Sequence, residues 1–265
     1  MTRPILIAHR GGLERAPENS LAAFAAAIDS AVDGFELDLQ LSAGGALVAR
    51  HDPLQPDTDV ADLPTLAEVL RMTALRRPGM RILIDIKGTP WARGRTPQGR
   101  ALIDRAAPLL RAYPHPDQIV LGSFDWDTLA YARQTLPHLR QAFHTMAVKW
   151  LEGLRESQTG VGDPRDYLAY VEAWRQARGA GHEALSTLEL FQAGGAAIWS
   201  CHHRDLTAPA IARARSLGLS VWTWTVNTEA DLRRVLDLGV DAVTTDRPEQ
   251  ILRLFASTEQ ETAND

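Results

Sequence analysis

Short apolar segments alternate with longer segments of helical periodicity along almost the whole chain, and this alternation constrains the fold more than any other feature. Eight apolar segments have the length of main strands, namely residues 4–8, 34–40, 81–86, 118–122, 139–143, 196–200, 220–226 and 240–244. Strands that alternate with helices predict a parallel sheet covered by helices. Eight strand–helix units in 265 residues match a TIM (β/α)8 barrel, an α/β fold. A doubly wound open sheet is the alternative, although no Gly-x-Gly-x-x-Gly turn follows the first strand.

Two features depart from a plain strand–helix repeat. A Ser-Ala-Gly-Gly turn after the second strand predicts a small hairpin with a short extra strand at 46–50. Residues 144–195 are long for a connection between two barrel strands, so we expect an inserted segment there, with a helix at 166–178. No linker or change of composition divides the chain. We therefore expect a single barrel domain over residues 1–256 and a polar C-terminal tail over 257–265.

The composition excludes several classes of protein. With 28 basic and 33 acidic side chains the formal net charge is −5, whereas a nucleic-acid binder needs a basic surface. The single cysteine, Cys201, excludes a disulfide framework and a cysteine-rich metal site. No apolar run approaches the length of a membrane span, and the first residues lack the pattern of a signal peptide. We therefore expect a cytoplasmic protein without integral membrane association.

Acidic side chains occupy the second strand, where a buried strand is expected to be apolar. Successive side chains of a strand point to opposite faces, so Phe35, Leu37 and Leu39 share one face and Glu36, Asp38 and Gln40 share the other. If the apolar face packs on helices, the polar face points into the barrel. Two carboxylates buried together are costly unless a cation neutralises them, and Mg²⁺ and Ca²⁺ take oxygen ligands of this kind. A solvated edge strand is the alternative explanation.

The strand at 81–86 shows the same pattern at its end. Ile82, Ile84 and Ile86 share one face, whereas Asp85 and Lys87 share the other. Because TIM barrels carry their active sites at the C-terminal ends of the strands, Asp85 and Lys87 are candidate site residues. A plain buried ion pair between them is the alternative.

Two histidines follow predicted strands, and each has a charged neighbour. His9 and Arg10 end the first strand, and His51 and Asp52 follow the hairpin strand. Two histidines can serve as a general acid and a general base near neutral pH, and the planar guanidinium of Arg10 suits a phosphate. Together with the carboxylates, these residues indicate metal-assisted chemistry on an anionic group, and phosphoryl transfer fits best.

Later strand ends add candidates that each have two explanations. Trp222 and Trp224 lie on one face of the strand at 220–226, where they either pack in the core or line a substrate slot. Asp246 follows the last strand and precedes Pro248. It therefore either caps the final helix or takes part in catalysis.

Several motifs occur in the order that is typical of one family. They are His9-Arg10-Gly11, Pro17-Glu18-Asn19-Ser20, Glu36-Leu37-Asp38, His51-Asp52, Ile84-Asp85-Ile86-Lys87, Ser123-Phe124-Asp125, Trp224-Thr225-Val226-Asn227 and Thr245-Asp246-Arg247-Pro248. Through them the chain resembles the glycerophosphodiester phosphodiesterases over residues 5–252. The main departure is Asp85, which stands where the family usually has glutamate and is one methylene shorter. Whether Asp85 ligates a metal directly, through water or not at all is left open.

The resemblance implies a fold, an activity and a set of site residues. It implies a barrel of the phospholipase C-like phosphodiesterase type that hydrolyses a glycerophosphodiester to sn-glycerol 3-phosphate and an alcohol, as part of phospholipid-derived glycerol metabolism. The implied cofactor is a divalent cation, Mg²⁺ or Ca²⁺. The matching residues are the acid–base pair His9 and His51, the metal ligands Glu36, Asp38 and Asp85, the phosphate contacts Arg10 and Lys87, and Trp224 of the substrate pocket.

The resemblance also implies a mechanism in which a hydroxyl of the substrate's own glycerol attacks phosphorus, and water then opens the cyclic phosphate. We expect His9 to be the initial base and His51 the initial acid, and the reverse assignment stays open. Two other functions compete. One is a lysophospholipase D-like phosphodiesterase, whose apolar groove would draw on residues such as Trp91, Leu151 and Leu154. The other is a barrel that binds glycerophosphodiesters without turnover.

Overall fold

Eight parallel strands close into a barrel in the computed structural model, which describes residues 3–88, 98–146, 164–179 and 186–263. In chain order the strands are β1 (Ile5–Ala8), β2 (Gly34–Leu41), β3 (Leu47–Ala49), β4 (Arg81–Ile86), β5 (Ile119–Ser123), β6 (Arg140–Thr145), β7 (Ile198–His202), β8 (Ser220–Trp224) and β9 (Ala242–Thr245). The order around the barrel is β1-β9-β8-β7-β6-β5-β4-β2, and β1 pairs with β2 to close it. The hairpin strand β3 pairs antiparallel with β2. The predicted TIM (β/α)8 barrel with its small hairpin is therefore confirmed.

Helices cover the barrel and connect its strands. They are α1 (Leu21–Asp29), α2 (Leu66–Arg76), α3 (Gly99–Ala112), α4 (Trp126–Thr135), α5 (Pro164–Gly179), α6 (Thr187–Ala193), α7 (Ala208–Ser216), α8 (Glu229–Leu238) and α9 (Pro248–Ala263). Most of them begin after a capping side chain that accepts a hydrogen bond from the backbone N–H three residues later: Ser20, Thr65, Asp125, Ser186, Thr207 and Thr228. Such caps satisfy N–H groups that the first helical turn leaves without a partner. Among the described helices, none is both long and apolar enough to cross a membrane.

The predicted helix at 166–178 is observed as α5, within the segment expected to be an insertion, whereas the C-terminus differs from the sequence-based expectation. β6 continues to Thr145, and α6 forms in the same segment. The final helix continues to Ala263, so residues expected to form a polar tail from 257 extend this helix instead. The sequence Glu-Gln-Glu near its end contains good helix formers and no Gly or Pro, which explains the continuation.

The barrel interior is polar at the carboxyl ends of the strands and apolar in the layer next to them. On β2 the side chains of Phe35, Leu37 and Leu39 are fully buried in the main core, on the face that packs against helices. Inside the barrel, one layer of apolar side chains consists of Leu83, Val120, Ala142, Ile198, Trp222 and Ala242. Trp222 belongs to this layer, whereas Trp224 lies two residues further along β8 and lines a cavity. The two tryptophans therefore take one each of the two expected roles.

Trp126 joins α4 to its neighbours and is almost fully buried. Its ring centroid lies 4.9 Å from that of Trp174 in α5 and 4.7 Å from that of Phe191 in α6, and its Nε1 donates to the His144 carbonyl at 2.9 Å. Trp126→Ala is expected to lower the free energy of unfolding by about 3–5 kcal/mol, because it empties this cluster. Trp126→Phe keeps an aromatic ring and should cost clearly less. Urea denaturation measures both, and a loss below about 1 kcal/mol in the alanine variant would contradict this role.

Candidate active site

A cavity of about 360 Å³ lies at the carboxyl ends of the barrel strands. It is lined by His9, Arg10, Glu36, Asp38, His51, Leu83, Asp85, Lys87, Phe124, His144, Met146, His202, Trp224, Thr225 and Thr244. All eight residues that the sequence indicates for the site are among them. The strand ends at which they lie are those at which TIM barrels carry their active sites.

Three buried carboxylates converge in this cavity. Glu36 and Asp38 belong to β2 and Asp85 to β4, and the parallel register pairs Asp38 with Asp85. One oxygen of each carboxylate lies within 4.8 Å of those of the other two. Each side chain is almost completely buried, with residue exposures of 4%, 1% and 6%. Such a concentration of negative charge is costly unless cations compensate it.

Two basic side chains compensate part of this charge. Lys87 Nζ lies 2.6 Å from Asp38 Oδ1 and 2.6 Å from Asp85 Oδ2, and Arg10 Nε lies 3.1 Å from Asp38 Oδ2. Burial alone would raise the pKa of Asp38, but Lys87 and Arg10 outweigh it and hold that pKa well below its usual range. The same carboxylates raise the pKa of Lys87 against the effect of burial. Asp38 is therefore a carboxylate, and Lys87 is an ammonium, at neutral pH.

Asn19 holds Asp38 through two hydrogen bonds. Its Nδ2 donates to Asp38 Oδ2 at 2.7 Å, and its Oδ1 accepts from the backbone N–H of Asp38 at 3.1 Å. Asn19 adopts a φ of 53°, in the left-handed region that asparagine tolerates better than most residues. The sequence marks Asn19 only as part of a motif, because its contact with Asp38 depends on how the segment after β1 folds over β2.

The rest of the carboxylate cluster fits a hard divalent cation. Asp85 Oδ1 is buried and has no hydrogen-bond partner among the residues that the structure describes. Burial, together with the charge of Asp38, raises the pKa of Glu36 to about 8. One carboxylate oxygen thus lacks a hydrogen-bond partner in the described part of the chain, and the positive charge of His9 and Lys87 does not offset the effect of burial and of Asp38 on Glu36. A hard divalent cation prefers oxygen ligands and would supply both a partner and further positive charge.

His9 is held by a hydrogen-bonded chain of side chains. It lies in a 3₁₀ turn after β1, and its Nδ1 donates to Asp246 Oδ1 at 2.6 Å. Asn227 Nδ2 donates to the other oxygen, Asp246 Oδ2, at 2.6 Å. Burial lowers the pKa of His9, but the hydrogen bond to Asp246 and the charge of Glu36 outweigh it and raise the pKa. Of the two explanations for Asp246, the structure thus supports contact with the site histidine.

Gln40 positions the loop that carries His51. It shares a strand face with Glu36 and Asp38 but binds this loop instead of joining the carboxylates. Gln40 Nε2 donates to the carbonyls of Arg50 and Asp52 at 2.6 and 2.8 Å, and its Oε1 accepts from Leu54 N–H at 3.0 Å. These bonds fix the loop that carries His51 to the cavity. Burial and then the charge of Lys87 lower the pKa of His51.

An aromatic and apolar wall faces this polar half of the cavity. The Phe124 and Trp224 rings meet edge to face with centroids 5.7 Å apart, and His202 and Trp224 do so at 5.3 Å. Burial and the neighbouring His203 lower the pKa of His202 to about 4, so its ring is neutral at physiological pH. Among these residues the sequence indicates only Trp224 for the site. His144, Met146 and His202 were not predicted, although each lies at or just after the end of a strand.

Other residues considered from the sequence lie outside the described ranges. They are Trp91, Leu151 and Leu154, the possible parts of an acyl-chain groove.

A family model matches nearly the whole chain. The model describes the glycerophosphoryl diester phosphodiesterase family and matches residues 9–63 and 53–250. Two curated relatives named glycerophosphodiester phosphodiesterase are similar over their full lengths. The protein from Caldanaerobacter subterraneus subsp. tengcongensis is 24% identical over 275 residues, which cover 95% of this chain and 98% of the relative. The protein from Bacillus altitudinis is 24% identical over 282 residues, which cover 94% and 97%.

Solved structures share the fold at low sequence identity. A phosphodiesterase of Oleispira antarctica, solved in complex with the product sn-glycerol-3-phosphate, has a TM-score of 0.72 and 20% identity, with 96% of this chain and 97% of that chain covered. A glycerophosphodiester phosphodiesterase from Parabacteroides distasonis has a TM-score of 0.71 and 18% identity, with 97% and 100% covered. This chain thus shares the barrel fold of these structures.

Proposed function

Because this chain belongs to the glycerophosphoryl diester phosphodiesterase family, we propose that it is a phosphoric diester hydrolase that cleaves glycerophosphodiesters into sn-glycerol 3-phosphate and an alcohol. The observation that carries this proposal is the meeting of two histidines, three carboxylates and two basic side chains around one cavity. This combination suits phosphodiester hydrolysis, in which one proton is taken up, another is delivered and the phosphoryl charge is offset.

Glu36, Asp38 and Asp85 are the residues proposed to hold a divalent cation, Mg²⁺ or Ca²⁺. Support comes from their mutual approach within 4.8 Å and from the buried Asp85 Oδ1, which has no hydrogen-bond partner in the described part of the chain. When bound, such a cation acts as a Lewis acid and stabilises charge on phosphoryl oxygens. Lys87 and Arg10 add positive charge beside it and are the proposed phosphate contacts.

His9 is the proposed general base of the first step. The hydrogen bond from its Nδ1 to Asp246 leaves Nε2 to take a proton, which is how a carboxylate orients a base histidine in other hydrolases. A glycerol hydroxyl of the substrate attacks phosphorus and gives its proton to His9 Nε2. The bond between phosphorus and the alcohol oxygen breaks as the new bond forms, and a cyclic phosphate results.

His51 is the proposed general acid that gives a proton to the departing alcohol oxygen. In the second step a water molecule attacks the cyclic phosphate and gives a proton to His51. The protonated His9 then delivers its proton to the glycerol oxygen that leaves phosphorus, so both histidines return to their starting forms. The proposed product is sn-glycerol 3-phosphate, with Trp224 beside the substrate.

The decisive experiment is a substrate panel with product identification. Purified protein is incubated with glycerophosphocholine or glycerophosphoethanolamine and Mg²⁺ or Ca²⁺, and sn-glycerol 3-phosphate is measured by mass spectrometry. A His9→Ala/His51→Ala double variant, purified in the same way, controls for contaminating hydrolases. Binding of these diesters without any product would favour the non-catalytic barrel. Cleavage of lysophospholipids alone would favour the lysophospholipase D-like alternative.

Asp246→Asn is expected to lower kcat/KM by about 10–10²-fold, which is part of the 10²–10⁴-fold that a positioned acid–base group contributes. The substitution removes the hydrogen-bonded charge that raises the pKa of His9. The limb of the pH–rate profile that reports His9 should therefore move to lower pH. Asp237→Asn, on the exposed face of α8, is the matched control. An unchanged pH profile in Asp246→Asn would show that Asp246 does not act through His9.

A further inference from the structure

His144 adds a nitrogen atom to the edge of the carboxylate cluster. The residue lies at the end of β6, is only 5% exposed and lines the cavity. Its Nε2 lies 3.6 Å from Asp85 Oδ1, the buried oxygen that has no hydrogen-bond partner among the described residues. The other ring nitrogen, Nδ1, is buried and likewise without a hydrogen-bond partner there. His144 Nε2 and Asp85 Oδ1 thus face each other without a hydrogen bond between them.

The distance between the two atoms is informative. At 3.6 Å it exceeds the range of roughly 2.7–3.2 Å in which nitrogen and oxygen form a hydrogen bond. Two ligand atoms that share one cation at bond lengths of about 2.0–2.2 Å, however, lie roughly 3.0–3.5 Å apart in octahedral or tetrahedral geometry. The pair is therefore spaced close to the separation of two ligands of one ion.

Gly122 keeps the space between these two residues open. It lies on β5, where the register pairs it with Asp85 of β4 on one side and with Ala142 of β6 on the other. A Cβ at Gly122 would lie 2.3 Å from His144 Nε2. A larger residue at this position would therefore displace the His144 ring from its place beside Asp85.

We propose that His144 Nε2 is a ligand of the divalent cation on the Asp85 side of the carboxylate cluster, where one nitrogen joins the carboxylate oxygens. The inference rests on the cation site of the proposed function. Mn²⁺ is a transition metal that can bind an imidazole nitrogen beside its oxygen ligands, whereas Ca²⁺ takes oxygen ligands. The site should therefore bind Mn²⁺ more tightly than Ca²⁺.

Pulsed electron paramagnetic resonance on the protein loaded with Mn²⁺ alone tests the ligand directly. We expect the spectrum to show coupling to a bound imidazole nitrogen, and the coupling should change from ¹⁴N to ¹⁵N when the protein contains ¹⁵N-histidine. His144→Gln should lose this coupling. His202→Gln, which alters another histidine of the same cavity, is the matched control and should keep it. Circular dichroism verifies that each variant is folded.

Calorimetric titration without substrate gives a second readout. His144→Gln is expected to weaken Mn²⁺ binding by at least about 10-fold and to change Ca²⁺ binding much less, so the preference for Mn²⁺ shrinks. His202→Gln should leave both affinities unchanged. Equal losses for the two cations in His144→Gln would count against a nitrogen ligand.

Other outcomes overturn the inference separately from the proposed function. Mn²⁺ binding without histidine coupling, or coupling that survives His144→Gln and vanishes in His9→Gln, removes His144 from the site and leaves the carboxylate cluster intact. Absence of any Mn²⁺, Mg²⁺ or Ca²⁺ binding overturns both. If His144→Gln does not fold, the folded variants His9→Gln, His51→Gln and His202→Gln decide by exclusion. The inference stands if all three keep the coupling and falls if any one loses it.

Discussion

His51→Ala is expected to lower kcat for glycerophosphocholine by about 10²–10⁴-fold, the range that a positioned acid–base group contributes. The reason is that choline is a poor leaving group and needs a proton as its bond to phosphorus breaks. His51 lines the cavity, and its loop is fixed by Gln40. Steady-state kinetics with saturating cation measure the effect, and a near-normal rate would remove His51 from the reaction.

A substrate with an activated leaving group separates the two histidine roles. The p-nitrophenyl diester of glycerol phosphate releases p-nitrophenolate, which leaves without a proton. With this substrate, His51→Ala should therefore slow the first step far less. His9→Ala should be slow with both substrates, because the attacking hydroxyl still needs a base. If instead the p-nitrophenyl substrate restores the rate of His9→Ala and not that of His51→Ala, the base and acid assignments are exchanged.

Exhaustive chelation with EDTA is expected to abolish hydrolysis, and Mg²⁺ or Ca²⁺ should restore it. Without a cation, the cluster of Glu36, Asp38 and Asp85 leaves the phosphoryl charge opposed by nearby carboxylates. The cation should also stabilise the fold, by about 2.7 kcal/mol when its free concentration is a hundredfold above Kd. Thermal unfolding with and without cation measures this independently of activity.

Variants of single carboxylates locate the effect of chelation. Asp38→Asn should lose both the activity and the cation-dependent rise in Tm, because Asp38 is a member of the carboxylate cluster and also pairs with Lys87 and Arg10. Asp57→Asn, which alters an exposed carboxylate of the loop after His51, should retain both. Activity that persists after complete chelation would contradict the proposed role of the cluster.

The positions that were predicted from the sequence are those that depend on local periodicity. Strand alternation places Phe35 on one face of β2 and Glu36 and Asp38 on the other, and the structure confirms this division. Asp85 could be placed beside them because the ends of parallel strands meet at one edge of the barrel. These inferences need only the period of a strand and the closure of the sheet.

Contacts between distant parts of the chain could not be predicted. His9 and Asp246 are 237 positions apart and come together only because β1 and β9 are neighbours. Gln40 has the same alternation as Asp38, yet it binds the returning loop instead of joining the carboxylates, since that choice depends on loop geometry. His144 follows a strand that the sequence marks weakly, so its approach to Asp85 depends on the register across Gly122.

The apolar layer inside the barrel limits how substrate enters the cavity and how product leaves it. Leu83, Val120, Trp222 and their neighbours fill the barrel next to the cavity. The cavity is therefore closed along the barrel axis on that side. In the proposed reaction, substrate and both products would therefore enter and leave at the end of the barrel where the cavity lies. The anionic product, held by Lys87 and Arg10, would then occupy the route that the next diester needs. It should therefore act as a competitive inhibitor, and its release can limit turnover.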